Sequence, residues 1–475
     1  MLLSSLVFLW VFLPIVLIVD FLLGRLPFSR KNVNKLRNRF LLIASLVFYA
    51  WGGVYYLFLM LSIIVINYIG GILISKTDEH RIDCLVCTVT LNIGILVYFK
   101  YFNLIISTIE GIAKMERGAL GFTEVVLPIG ISFYIFQAMS YVIDVYRDKT
   151  EAQKNILDFG LYVSLFPQLI AGPIVQYKDI DEQLYMREES METYVSGIKR
   201  FCYGLGKKVI IANTLGDVVD QIWKLNVGSI GWGIALLGAI SYTLQIYYDF
   251  SGYSDMAIGI GRMLGFSFKE NFNYPYLSGS VREFWRRWHI SLSSWFREYV
   301  YIPLGGSRAG QFRTYVNLFI VFLLTGIWHG ANYTFFFWGL YYAFFIILER
   351  AWLGKYLDKN RILGRIYTII IVSVGWVFFR ADSITDAFSF LGGLFRAGID
   401  DYSALQFFSM KLLLALIFGI LLGGLLQSLL GKAYENYKDK PAVRIADLVI
   451  QMAILVCSIT MLMSGTYNPF IYFQF

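Results

Sequence analysis

Charge and imidazole are both scarce in this sequence. Charged residues make up 16% of the chain, and only three histidines occur: His80, His289 and His329. A water-soluble protein of 475 residues has no means of covering its apolar surface with so little charge. Polar–apolar alternation is missing too. The apolar runs are continuous, which excludes a transmembrane β-barrel. No internal repeat, heptad array or low-complexity linker is visible, so neither a solenoid nor a coiled coil fits. The four cysteines, Cys84, Cys87, Cys202 and Cys457, form no zinc knuckle. His80, Cys84 and Cys87 share one helix face by their spacing, but a fourth ligand is missing, so no metal is expected. The cysteines read instead as small apolar residues.

What is present in excess is apolar and aromatic: 57% and 18% of the chain, with a mean hydropathy of +0.60. These values define an all-α, polytopic membrane protein, read as one integral domain over 1–475. Residues 2–19 lack a positive leading segment and a small-residue cleavage site, so they are expected to be a retained first span. Arg25, Arg30, Lys31, Lys35, Arg37 and Arg39 follow it with no acid among them, which puts them inside and the amino terminus outside. Further apolar runs lie at 39–53, 55–75, 83–106, 125–145, 208–224, 229–249, 314–331, 333–349, 366–380, 408–430 and 446–464. The expectation is about eleven or twelve spans plus re-entrant and interfacial helices, with the carboxy terminus also outside. The net charge of +8 comes from basic residues beside these runs. Membrane topology and lipid headgroups account for them, and nucleic acid is not expected as a partner.

Three stretches resist a hydrocarbon environment. LDFGLYVSLFPQLIAGPIVQYKDI (157–180) is apolar but broken at Pro167 and Gly172-Pro173, and the basic residues around it belong inside. A re-entrant segment lining a wet cavity satisfies both facts. In QIYYDFSGYSDMAIGIG (245–261), Asp249, beside the candidate Tyr248, and Asp255 flank small and aromatic residues at the end of a span, where an acid is either functional or an ion-pair partner. In 271–308, Phe284, Trp285, Trp288, Leu292, Trp295, Phe296 and Tyr299 form a stripe at helical spacing, with Arg282, Glu283, Arg286, Arg287, Arg297 and Glu298 at other positions. That pattern predicts an amphipathic helix in the plane of the inner membrane surface, anchored in lipid headgroups or gripping phosphates. His289 beside Trp288 is more than an anchor requires.

His329 lies in LLTGIWHGANYTFFFWGL (323–340), and the 16 residues separating it from Arg313 amount to about 24 Å of helix. Such a depth demands a polar partner or cavity. Gly326, Gly330 and Ala331 leave room there, and Asn332 adds a polar group on roughly the same face.

Five strings together are similar to one known family. They are VLPIGISFYIFQAMSYVIDVYR (126–147), LFPQLIAGPIVQY (165–177), YYDFSGYSDMAIGIGRMLGF (247–266), NFNYPYLSGSVREFWRRWHISLSSWFREYVYIPLGG (271–306) and TGIWHGANYTFFFWGLYYA (325–343). They resemble the membrane-bound O-acyltransferases, in the bacterial branch that acetylates alginate, with further likeness to peptidoglycan and cellulose acetylation proteins and to the teichoic-acid D-alanylation protein. The matching core is 126–343, and the terminal NPFIYFQF fits the same layout. The resemblance implies a ring of helices around a central funnel in a bacterial plasma membrane. It makes His329 the catalytic histidine and His289 the supporting one. It further implies acetyl-CoA or another acyl thioester as donor, no tightly bound cofactor, an SGNH-hydrolase-type acetyl-transfer partner outside the membrane, and a polysaccharide acceptor.

The residues are compatible with such chemistry. A thioester carbonyl is open to attack by a hydroxyl when a base removes the proton, and His329 is the candidate base. Arg286 and Arg287 are candidates for the donor phosphates, and Trp285 and Trp288 for the tunnel wall. No Ser-His-Asp set is evident, which favours direct transfer. Two rival readings remain at this point. A proton-coupled transporter or flippase of a lipid-linked sugar would use His329 and Asp249 as a relay. A secretion scaffold would need neither.

Overall fold

The computed structural model describes residues 1–116, 118–187, 189–308, 310–397, 403–465 and 467–471. Residues 472–475, the end of the NPFIYFQF string, lie outside the described residues. Among the described residues the regular structure is entirely helical, and the chain divides into two compact units.

The first unit comprises Met1–Ile198 and Ala257–Lys269. It holds α1 (Leu13–Gly24), α2 (Arg30–Ala50), α3 (Val54–Lys76), α4 (Arg81–Ile112), α5 (Ile131–Tyr146), α6 (Ile156–Ser164), α7 (Phe166–Leu169) and α8 (Tyr177–Tyr185). Its long helices pack through small and amide residues, as expected where lipid removes the hydrophobic drive between helices. A Cβ added at Gly71 of α3 would lie 2.6 Å from the Tyr141 ring of α5, so only glycine admits that contact. Asn67 and Asn92 exchange hydrogen bonds of 2.9 and 3.0 Å between α3 and α4. The expected re-entrant stretch is α6, α7, an irregular turn and α8. Residues 158–177 are buried without a break, which meets the requirement that irregular backbone be enclosed by protein. Asn155 caps α6 by accepting from Leu157 N, and Pro167 opens α7 at a position needing no N–H donor.

The second unit comprises Lys199–Met256 and Glu270–Phe475. In chain order its helices are the end of α9 (Met191–Gly206), α10 (Asn213–Trp223), most of α11 (Trp232–Met263), α12 (Val281–Arg287), α13 (Ile290–Phe296), α14 (Gln311–His329), α15 (Tyr333–Leu348), α16 (Gly354–Leu357), α17 (Arg361–Arg380), α18 (Ile384–Gly393), α19 (Met410–Ile420), α20 (Leu426–Tyr437) and α21 (Pro441–Ser464). Helices α14 and α15 form a tight hairpin. A Cβ at Gly326 would come within 3.0 Å of the Gly339 Cα, so small residues set the spacing of the pair. Asn332 caps α15, accepting from Thr334 N at 3.1 Å.

Seven helices among the described residues are long and apolar enough to cross a membrane: α3, α4, α14, α17, α21 and the continuous helical stretches Tyr333–Leu357 and Met410–Tyr437. They coincide with seven of the expected apolar runs. The runs at 2–19, 39–53, 125–145, 208–224 and 229–249 fall in helical stretches that are too short or too polar to meet that test. The stripe at 284–299 needs a correction. Its apolar residues are covered by protein, where a surface anchor would turn them to lipid, and it is not one helix, because the chain breaks at Trp288-His289 between α12 and α13. His289 adopts a left-handed backbone (φ 43°, ψ 55°), which no continuous α-helix allows.

Candidate active site

The α14–α15 hairpin positions His329. Helix α14 ends on His329 itself, and Gly330 leaves the helix in an extended conformation. The imidazole is buried and meets three aromatic rings edge-on: Trp328 and Trp338 at 5.0 Å and Phe379 at 5.1 Å. Trp338 comes from α15 and Phe379 from α17, so three helices build the pocket. The rings in turn abut a wider cluster. Trp338 lies 5.5 Å from Trp285, and Trp376 lies 4.8 Å from Trp288 and 5.6 Å from Phe379. Aromatic walls of this kind are rigid and exclude water, which strengthens any charge interaction made within them.

A cavity of about 400 Å³ opens beside this cluster. Arg282, Arg286, Arg297 and Arg350 stand around it, all exposed, above an apolar interior that includes Trp285, Phe322 and Ile346. Thr325 lines it one turn before His329 on α14. Of the two arginines proposed for donor phosphates, only Arg286 lies here. Arg287 forms an ion pair with Glu283 at 2.8 Å and lies outside the cavity lining. Arg286, Arg297 and Arg350 form no ion pair among the described residues, while Arg282 also interacts with the buried Glu349 carboxylate.

The start of α12 is held by two carboxylates, one local and one distant in sequence. Ser280 and Glu283 form a capping box: Ser280 Oγ accepts from Glu283 N at 3.1 Å, and Glu283 Oε2 accepts from Gly279 N at 2.8 Å. Glu349, just beyond α15, accepts from Val281 N at 2.7 Å and Arg282 N at 3.0 Å. One carboxylate therefore ties the arginine-bearing helix to the end of α15, next to Arg350.

His289 is buried at the α12–α13 break. Its Nδ1 lies 3.2 Å from Asn271 Oδ1, and its ring stands edge-on to Phe250 at 4.6 Å and to Trp328 at 6.1 Å. Trp328 thus touches both histidines. Trp288 is buried among Tyr247, Phe272, Tyr276, Phe284 and Trp376.

The remaining candidates sit elsewhere in the unit. Tyr248 donates to the Gly419 carbonyl at 2.7 Å. Asp249 is ion-paired with buried Lys208 at 2.5 Å and accepts from Ile471 N at 2.8 Å. Asn332, besides capping α15, donates to the Asp382 carbonyl at 2.8 Å. Sequence reasoning placed Arg282 and Arg297 on the charged side of the stripe but did not join them with Arg350, and it missed the aromatic partners of His329 on α15 and α17 and Asn271. The WHG string and the arginine spacing were visible, but no local pattern joins residues 282, 297 and 350.

The sequence model of the membrane-bound O-acyltransferase family matches residues 88–379, a span that contains both histidines and all four rim arginines. Over its whole length the chain is 40% identical to a probable alginate O-acetylase of Pseudomonas putida, and 39% identical to that of Azotobacter vinelandii, covering all of each relative. It is 35% identical to a peptidoglycan O-acetyltransferase of Helicobacter pylori, over 74% of this chain and 73% of the relative.

Proposed function

From the premise that the chain belongs to the membrane-bound O-acyltransferase family, as a multi-pass membrane enzyme, we propose that it acetylates hydroxyl groups of an exported, alginate-like polysaccharide. The observation that supports this most directly is the arginine-rimmed cavity, whose lining reaches Thr325, one turn from His329.

In this reading the cavity receives a thioester donor, acetyl-CoA by preference, from the inner face of the plasma membrane. Arg282, Arg286, Arg297 and Arg350 bind its phosphates, as guanidinium groups do bidentately. Trp285 and the apolar interior hold the pantetheine arm. At the far end the hydroxyl oxygen of the acceptor attacks the thioester carbonyl. His329 takes the hydroxyl proton as the C–O bond forms, the C–S bond breaks, and the proton passes to the departing thiolate. Such a base contributes about 10²–10⁴-fold, and positioning between rigid rings supplies much of the rest. The acetyl group leaves on the outer side, through an SGNH-hydrolase-type partner, to reach the polysaccharide. Both termini lie outside.

The test uses the full-length protein in liposomes with labelled acetyl-CoA and the outer partner. His329→Ala is expected to abolish label transfer while leaving membrane insertion intact. Arg286→Glu is expected to raise KM for the donor at least about tenfold, because it removes one charge-assisted contact and adds repulsion. Transfer that survives His329→Ala overturns the catalytic assignment. Sugar translocation without acyl transfer would select a transporter instead.

A further inference from the structure

Residue 271 reaches His289 from a segment 18 positions away in sequence, and it does so with one atom. Asn271 Oδ1 faces His289 Nδ1 at 3.2 Å, Ser291 N at 3.2 Å and Ser291 Oγ at 2.9 Å. The Asn271 backbone carbonyl accepts from Ile290 N at 2.9 Å, and Asn273 N donates to the Arg287 carbonyl at 2.9 Å. Asn271 is buried, so water does not substitute for these contacts.

A backbone N–H can only donate. The Ser291 amide therefore requires an acceptor opposite it, which fixes the carboxamide with its oxygen toward the α12–α13 break. Rotating the amide would set an NH₂ against that N–H. With the oxygen in place, His289 Nδ1 faces an acceptor at 3.2 Å and must carry the proton itself, since two lone pairs at that distance repel. Ser291 Oγ, 3.4 Å from Nδ1, spends its own proton on Asn271 Oδ1 and presents only lone pairs to the ring. Both neighbours of Nδ1 thus favour the same tautomer. A second observation shows that the fold maintains this arrangement at a cost. His289 holds a left-handed backbone worth about 1–3 kcal/mol of strain for a non-glycine residue, with its ring nitrogen 3.2 Å from Asn271.

We propose that Asn271 is a positioning residue for acyl transfer, its carboxamide oxygen locking His289 in the Nδ1–H tautomer so that Nε2 carries the lone pair. The proposal rests on the placing of His289 at the transfer site. Its chemical content is specific: His289 accepts a hydrogen bond through Nε2, from the acceptor hydroxyl or a water, and does not donate one to the thioester oxygen. His289 lies outside the seven spanning helices, and burial pushes its imidazole down to about 3, so the ring is neutral at physiological pH.

Three histidines in the whole chain make the test tractable. The full-length protein is labelled with ¹⁵N-histidine and reconstituted in bilayers, and the ring nitrogens are read by solid-state NMR at pH 7. His289→Gln identifies the His289 signals. The expected spectrum shows Nδ1 protonated and Nε2 bare; a protonated Nε2 in the wild type overturns the proposal without any variant having to fold. Asn271→Asp retains an oxygen toward Ser291 N and is expected to keep the proton on Nδ1. Asn271→Leu removes the acceptor and is expected to shift the tautomer and lower kcat at least about tenfold with KM for the donor unchanged, as wrong-tautomer histidines do. A folded Asn271→Leu protein with a shifted tautomer and an unchanged kcat also overturns it. A wild-type rate in His289→Gln removes the premise instead, leaving the wild-type spectrum as it was, so the two failures are told apart.

Discussion

At the scale of single residues, the two histidines have opposite surroundings. His329 ends a helix and is boxed by Trp328, Trp338 and Phe379, whereas His289 is held by the polar side chains of Asn271 and Ser291. The second arrangement has a consequence for stability. In the unfolded chain His289 titrates near 6.5, and in the fold burial lowers it to about 3. Between those values the unfolded state binds the extra proton, so stability is fully present above pH 6.5 and falls as the pH drops through that window. One proton's difference amounts to about 1.4 kcal/mol per pH unit. Melting of the detergent-solubilised protein between pH 6.5 and 5, above the carboxylate range, is expected to show this slope. His289→Gln should flatten it; an identical slope in the variant would mean that other groups carry the dependence.

Helices that seem incidental in the sequence turn out to determine the geometry. Helix α12 has only seven residues, too few to be stable alone, and it is held by the Ser280–Glu283 capping box and by Glu349. Glu349→Gln keeps the size of the side chain but removes its charge and one of the two acceptor oxygens. The expected cost is about 1–3 kcal/mol of stability, since a hydrogen bond to a charged group is lost and a buried N–H is left unmet. Because α12 carries Arg282 and Arg286, KM for the donor should also rise, with kcat much less affected. Equal loss in kcat and in kcat/KM would show that Glu349 acts at the reacting centre rather than through its helix.

At the scale of the whole molecule, the carboxy-terminal segment is built into the second unit. Lys208 and Asp249, both buried, form an ion pair, with Lys208 Nζ donating to the Pro469 carbonyl and Asp249 accepting from Ile471 N. Phe470 packs on Tyr253 at 4.8 Å, and Tyr467 donates to Asp220, which also pairs with Arg380 at 3.0 Å. Leaving one buried charge without its partner costs about 3–5 kcal/mol. Lys208→Met is therefore expected to lower the melting temperature sharply and to expose the carboxy-terminal segment to protease. Lys208→Met combined with Asp249→Asn should recover much of the loss. No recovery would show that the contacts to residues 469–471 matter more than the charge balance.

Composition alone determined that this is a helical membrane protein, because a chain with 16% charged residues and continuous apolar runs can satisfy its backbone only by spanning lipid as helices. The WHG string and its family likeness singled out His329, and the period of the 284–299 stripe separated its apolar side from its charged side, though not that protein, rather than lipid, covers the apolar side. What remained for the tertiary structure depends on contacts distant in sequence. Arg297 and Arg350 join Arg282 and Arg286 around one cavity, while Arg287, adjacent to Arg286, pairs with Glu283. Asp249, which the sequence left as either a functional acid or an ion-pair partner, is ion-paired with Lys208 and accepts from Ile471 N. At the break in the stripe, His289 is left-handed, and Asn271 takes up the first N–H groups of α13, its carbonyl accepting from Ile290 N and its side chain from Ser291 N. Helical periodicity records which side of a segment is buried, but it does not record which distant side chain completes a hydrogen bond or neutralises a charge, and that is settled only when the helices pack.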